Sequence, residues 1–146
     1  MQSYEIRALR EEDAGRAAEI EAMIFSMPWS KQGFLDSIHS KDTEYLAVWI
    51  EDEIVAYCGF LQSFDEADIT NVAVHPDYRR RGIAYAMLEQ LMEKGKTRGV
   101  CRYTLEVRAG NTAAILLYEK LGFESVGIRK NFYEKPREDA VIMWTK

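Results

Sequence analysis

A strand, a basic glycine turn and a helix follow one another between residues 69 and 98, and this order limits the chain more than any other feature. An apolar run from Ile69 to His75 stops at Pro76. An amphipathic run from Ile83 to Arg98 then carries Ile83, Met87, Leu88, Leu91 and Met92 at helical spacing. Between them stand Arg79, Arg80, Arg81 and Gly82, leading into Ile83, Ala84 and Tyr85. The first N–H groups of a helix have no intrahelical partners, and the helix dipole adds partial positive charge at the same end. A glycine without Cβ lets an anion come close. On this string alone the turn reads either as a pyrophosphate cradle or as a basic turn capping an ordinary helix.

The flanking sequence predicts an α/β order, βααβββαβαββ. Tyr4 to Leu9 alternates as a first strand. Asp13 is a candidate cap for a helix carrying Ala17, Ile20 and Ile24 on one face, broken at Met27-Pro28-Trp29. Ser30 caps a short helix with Phe34, Leu35 and Ile38. Tyr45 to Ile50 and Ile54 to Leu61 form a hairpin about Glu51-Asp52-Glu53, and Asp65 to Asp68 reads as a polar turn. Gly99 closes the helix that follows the basic turn. Arg102 to Arg108 is a strand, Asn111 caps a helix ending at Gly122, and Phe123 to Ile128 and Ala140 to Trp144 close the sheet around an intervening segment, Asn131 to Pro136. Two successive strand–helix–strand crossovers imply helices layered on one central sheet.

The length of 146 residues predicts a single domain over 1–146. Apolar runs of only a few residues exclude a membrane-spanning helix. The segment Met1-Gln2-Ser3-Tyr4-Glu5 shows no basic stretch followed by an apolar one, so a cytoplasmic location is expected. Cys58 and Cys101 fit no metal or redox spacing and read as reduced thiols in strands. With His39 and His75 each solitary, no metal is expected. A net charge of −5 argues against general nucleic-acid binding. Its positive exception, Arg79 to Arg81, suits a small polyphosphate better than a duplex.

Several side chains carry candidate chemistry or its neighbourhood. Arg102, Thr104, Glu106 and Arg108 share the polar face of one strand. Glu106 is either part of a solvated charged face or a general base that deprotonates an amine nucleophile. An α-amine with pKa near 8 costs about 1.4 kcal/mol to deprotonate at pH 7, whereas a lysine near 10.4 costs about 4.6. Tyr118 is either core or a phenol placed to protonate a leaving thiolate. Asn111 is a helix cap, a ligand contact, or both. Met27 and Trp29 in one loop and Phe132 and Tyr133 in another are either core plugs or walls of a substrate groove. Cys58 has no His or cationic neighbour in sequence, so direct transfer is expected rather than a covalent intermediate.

These residues together resemble the Gcn5-related N-acetyltransferases. Asn71-Val72-Ala73-Val74-His75-Pro76 and then Tyr78-Arg79-Arg80-Arg81-Gly82-Ile83-Ala84 match the family's strand, Arg/Gln-x-x-Gly-x-Gly/Ala turn and helix. Met27-Pro28-Trp29-Ser30, Leu105 to Asn111, Ala113 to Phe123, Ile128 to Tyr133 and Glu138 to Met143 resemble one branch of it, the ribosomal-protein-alanine N-acetyltransferases of the RimI type. The resemblance covers essentially the whole chain. It implies a mixed central sheet with splayed middle strands and helices on both faces. It implies acetyl-coenzyme A as cosubstrate, held by the backbone of Val72, Ala73 and Val74, by the turn through Tyr85, and by Asn111. Glu106 is implied as base, Tyr118 as acid, and a protein N-terminus, an alanine of a small-subunit ribosomal protein, as acceptor. Ala84 replaces the commoner glycine, and Phe132 stands where this branch usually has tyrosine. Acetylation of another amine, or acyl-coenzyme A sensing without catalysis, are the alternative functions.

Overall fold

The computed structural model describes residues 3–146, so Met1 and Gln2, where the segment read for a signal sequence begins, lie outside it. Seven strands form one sheet in the order β1-β2-β3-β4-β5-β7-β6. They are β1 (Glu5–Ala8), β2 (Thr43–Ile50), β3 (Glu53–Ser63), β4 (Glu66–Val74), β5 (Arg102–Arg108), β6 (Glu124–Glu134) and β7 (Arg137–Trp144). The helices are α1 (Ala14–Ile24), α2 (Lys31–Ile38), α3 (Ile83–Thr97) and α4 (Thr112–Lys120). All neighbouring strands are antiparallel except β4 and β5.

Strand alternation sorts the apolar side chains into two cores. Leu46, Val48 and Ile50 of β2 join Ile83, Met87, Leu88 and Leu91 of α3 and Tyr118 of α4. Tyr45, Ala47 and Trp49 of the same strand turn the other way, onto Ala14, Ala17 and Ile20 of α1 and Phe34 of α2. A period of two on one strand thus feeds two layers of helices on opposite faces.

A bulge in β4 lies beside the point where the sheet opens. Along the β3–β4 ladder Phe60 faces Ile69 and Gly59 faces Asn71, which leaves Thr70 as the extra residue. Ala67 and Ile69 before it, and Val72 after it, all face the α3/α4 core, so the bulge shifts the parity of β4. The pairing of β4 with β5 covers only Glu66–Arg102, Ala67–Tyr103 and Asp68–Thr104. Beyond Asp68 the two strands part, which is the splay expected of the central strands.

Several expected boundaries are corrected. The polar segment Asp65 to Asp68 is mostly strand, because Glu66, Ala67 and Asp68 pair with β3 on one side and β5 on the other. Most of Asn131 to Pro136 is also strand: β6 runs to Glu134 and β7 starts at Arg137, with a register shift between Arg129 and Tyr133 and Asn131 at φ +53. Only the first crossover joins adjacent strands, since β7 inserts antiparallel between β5 and β6. Asp13 does not cap α1. Its Oδ2 accepts from the Arg10 N–H at 2.9 Å and closes the short turn before the helix. Cys101 precedes β5 and is exposed rather than in a strand.

Candidate active site

A cleft of about 860 Å³ fills the splay, lined by α1, the α1–α2 connection, β4, β5, the start of α4 and the β6–β7 hairpin. On β5, Leu105 and Val107 enter the α3/α4 core, so Glu106 between them faces the α1/α2 side. Asp68 faces that side too, alternating with Ala67 and Ile69. Past the bulge, Ala73 packs in the α1/α2 core, and Asn71 shares its direction. Tyr118 comes from the opposite side, on α4. The cleft therefore passes through the sheet.

Glu106 is held by charge without a hydrogen bond. The Arg129 Nε lies 3.1 Å from its Oε2. Yet Oε2 is buried and has no hydrogen-bond partner, so proximity alone makes the pair and the guanidinium N–H is not aimed at that lone pair. Asp68, nearby, has its pKa raised by burial and then by the charge of Glu106, with Arg129 opposing. Burial raises the Tyr118 phenol strongly, and the nearby Tyr133 and Cys58 add to it. Its hydroxyl has no hydrogen-bond partner among the described residues, and its ring packs edge-on to Phe123 at 5.9 Å. Asn111 caps α4, accepting from the Ala114 N–H at 3.2 Å, and also lines the cleft. Core and cleft are thus not exclusive at Tyr118, nor cap and contact at Asn111.

The α1/α2 side has two walls. Met27 and Trp29 line the cleft from the α1–α2 connection, Phe132 and Tyr133 from the end of β6. Buried Glu21 fixes the first. Its Oε2 accepts from the Trp29 N–H at 3.0 Å, and its Oε1 accepts from the Tyr57 hydroxyl. Arg108 fixes the second, donating to the Pro136 and Lys135 carbonyls at 3.0 and 3.2 Å and to Glu138 Oε1 at 3.2 Å. It also reaches Ser26 Oγ at 3.4 Å, which ties the two walls together. Its guanidinium lies 4.3 Å from the Tyr133 ring centroid.

The basic turn lies outside this cleft, beyond the end of β4. Gly82 holds φ +76 as the N-cap of α3, where no side chain caps the first turn, and a Cβ there meets nothing within 4 Å. The arginines are not a uniform fringe. Arg79 Nε donates back to the Val74 carbonyl at 3.2 Å, while Arg81 donates to the Asp77 carbonyl at 3.3 Å and stacks over Tyr78. Arg80 takes φ +63 and is exposed. The Ile83 side chain is core and Ala84 packs against it, so both offer the turn only backbone; Tyr85 is exposed. Of the β4 residues, Val72 lines the cleft, whereas the Ala73 side chain is buried in one core and Val74 packs against the other.

Glu21, Asp68, Asn71 and Arg129 carry weight in the site and were not among the sequence candidates. Glu21 had a signal, as an acid on the buried stripe with Ala17, Ile20 and Ile24. So had Asn71, a polar residue in an apolar strand. Arg129 reaches Glu106 across β7, a relation with no trace in local spacing. Cys58 is fully buried with its thiol pushed up by burial, which removes it as a nucleophile. Among the described residues, no group of His, Cys, Asp and Glu gathers as metal ligands, and no helix is long and apolar enough to cross a membrane.

The model of the Acetyltransferase (GNAT) family matches residues 11–123. The [ribosomal protein bS18]-alanine N-acetyltransferase of Escherichia coli K12 is 39% identical over 142 residues, covering 94% of each chain. A putative enzyme of the same name from Bacillus subtilis is 37% identical over 140 residues, covering 95% of this chain and 93% of its own. The crystal structure of the ribosomal-protein-S18-alanine N-acetyltransferase from E. coli superposes with a TM-score of 0.90 at 37% identity, covering 98% of this chain and 93% of that one.

Proposed function

The chain belongs to the acetyltransferase (GNAT) family and is an acetyl-CoA-dependent N-acetyltransferase, and from that premise we propose how its residues act and on what. The acceptor is the α-amine of a protein N-terminus, an alanine of a small-subunit ribosomal protein, and transfer is direct within a ternary complex. Relatives named for the alanine of ribosomal protein bS18 support this acceptor. Such an acceptor places the work in the cytoplasm, in one domain over residues 1–146.

The residues present fit acetyl-coenzyme A. Gly82 and the uncapped first turn of α3 form a backbone cradle for its pyrophosphate. Arg79, Arg80 and Arg81 surround that cradle with positive charge, and the backbone of Ile83, Ala84 and Tyr85 completes it. Past Asp68 the β5-facing edge of β4 has no strand partner, so the backbone along Val72, Ala73 and Val74 presents that edge to the pantetheine arm, with the Val74 carbonyl already taken by Arg79. Asn111 contacts the cosubstrate where α4 begins. When bound, acetyl-coenzyme A supplies an acetyl group already activated as a thioester.

Glu106 takes the proton from the acceptor amine, directly or through a water. Tyr118 returns a proton to the departing thiolate, and burial keeps its phenol protonated for that task. Met27, Trp29, Phe132 and Tyr133 wall the acceptor. The observation that carries this reading is that Glu106 and Tyr118 line one cleft from opposite sides of the sheet.

The test is incubation with acetyl-coenzyme A and three acceptors: an alanine-starting peptide, the same peptide with a blocked N-terminus, and a polyamine. Thiol release and mass spectrometry are expected to show acetyl only on the free α-amine. Preference for the blocked peptide's lysine or for the polyamine rejects the α-amine reading.

A further inference from the structure

Asn71 is buried, with 6% of its surface exposed, yet it lines the cleft. Its two ends are treated differently. Oδ1 accepts two hydrogen bonds, from Thr70 Oγ1 at 2.7 Å and from the Tyr45 hydroxyl at 3.1 Å. An amide oxygen has two lone pairs, so that end is saturated. Nδ2 has no partner among the described residues, and with the oxygen end held by the two hydroxyls it is turned into the cleft.

The orientation is built across three strands. Tyr45 on β2 and Asn71 on β4 both pair with Gly59 on β3. The Tyr45 ring lies over that glycine: a Cβ there would sit 2.2 Å from ring carbons. Only glycine lets the ring cross β3 so closely that its hydroxyl reaches Asn71. Thr70, the second donor to Oδ1, is the bulged residue itself. A buried side-chain amide held this firmly keeps two N–H donors for an acceptor in the cleft.

We propose that Asn71 is a specificity-determining residue that donates to the carbonyl oxygen of the acceptor's first residue, and so selects α-amines over lysine ε-amines. The inference rests on the α-amine reading above. Asn71 and Glu106 line opposite lips of the splay on the α1/α2 side. An N-terminal α-amine carries a carbonyl carbon two bonds from its nitrogen, and an ε-amine carries only methylenes there. With the amine at Glu106, only the α-amine substrate brings an oxygen to the Asn71 amide.

The experiment compares an alanine-starting peptide with the same peptide whose first amide is replaced by a trans-alkene, which keeps the shape and removes the oxygen together with the N–H of the second residue, so that the part due to the oxygen is read from the cycle with Asn71→Ala. Wild-type kcat/KM is expected to fall about tenfold on the alkene, the scale of one lost hydrogen bond to a buried donor. Asn71→Ala is expected to lose about tenfold on the amide peptide and little further on the alkene, as a double-mutant cycle requires. Equal wild-type rates on amide and alkene overturn the proposal without any variant being needed. Equal losses by Asn71→Ala on both peptides also overturn it, since they point to support of Tyr45 and Thr70 alone. Wild-type protein that acetylates no free α-amine overturns the parent reading, and this inference with it.

Discussion

At the scale of residues, the site rests on three ionisable groups in different states. Glu106 has a buried oxygen without a hydrogen bond, and Arg129 stands beside it. Glu106→Gln keeps the shape and removes the carboxylate proposed as base, so kcat is expected to fall about 10²- to 10⁴-fold while acetyl-coenzyme A binding by calorimetry stays within twofold. Tyr118→Phe keeps the edge contact with Phe123 and removes the donor. Its kcat is expected to fall by about tenfold or more without loss of thermal stability. Asp68 is protonated more readily in the fold than in the unfolded chain, because burial and then Glu106 raise its pKa. Stability is therefore lost as pH rises from the unfolded pKa through the folded one, and the cost is absent below both. Asp68→Asn is expected to raise Tm at pH 7, with the gain vanishing below about pH 4, where the unfolded carboxyl also holds its proton. A gain that persists in acid sinks this account.

At the scale of elements, the long periodic segments were legible. The stripe of Ile83, Met87, Leu88 and Leu91 is the buried face of α3, and Ser30 and Asn111 cap their helices through Oγ and Oδ1. Both signals are local, so spacing sufficed. The extent of β4 was not legible, because Glu66 and Asp68 are polar and owe their strand conformation to partners on both sides. The reach of β6 through Asn131 was hidden likewise, since a register shift and a positive φ break the local pattern while β7 keeps the pairing. The turn before α3 was read correctly as a glycine turn at a helix start. Gly82→Ala meets no atom, so its cost is the left-handed backbone alone, about 1–2 kcal/mol. For a chain of this size a loss of about 2–8 °C in Tm follows, together with weaker acetyl-coenzyme A binding. An unchanged Kd removes Gly82 from the cradle.

For the whole molecule, 24 acidic against 19 basic side chains set a net charge of −5. The charge matters for encounter rather than for fold. A cationic acceptor peptide is expected to lose kcat/KM several-fold between about 20 mM and 500 mM salt as screening shortens the reach of the field. An uncharged alanine-starting peptide is expected to lose much less, and equal salt dependence for both rules steering out. The sequence by itself determined most of the elements and the glycine turn before α3, and offered Glu106, Asn111 and Tyr118 as candidates with alternatives beside each, because periodicity, caps and glycine turns act over a few residues. Only the tertiary structure decided that Glu106 and Tyr118 line one cleft from opposite faces. The reason is the parting of β4 from β5 beyond Asp68, a consequence of pairing between distant segments. Arg129 beside Glu106, Glu21 under the Trp29 loop, and Tyr45 crossing Gly59 to orient Asn71 were decided in the same way. Each joins residues that are neighbours only once the sheet has formed.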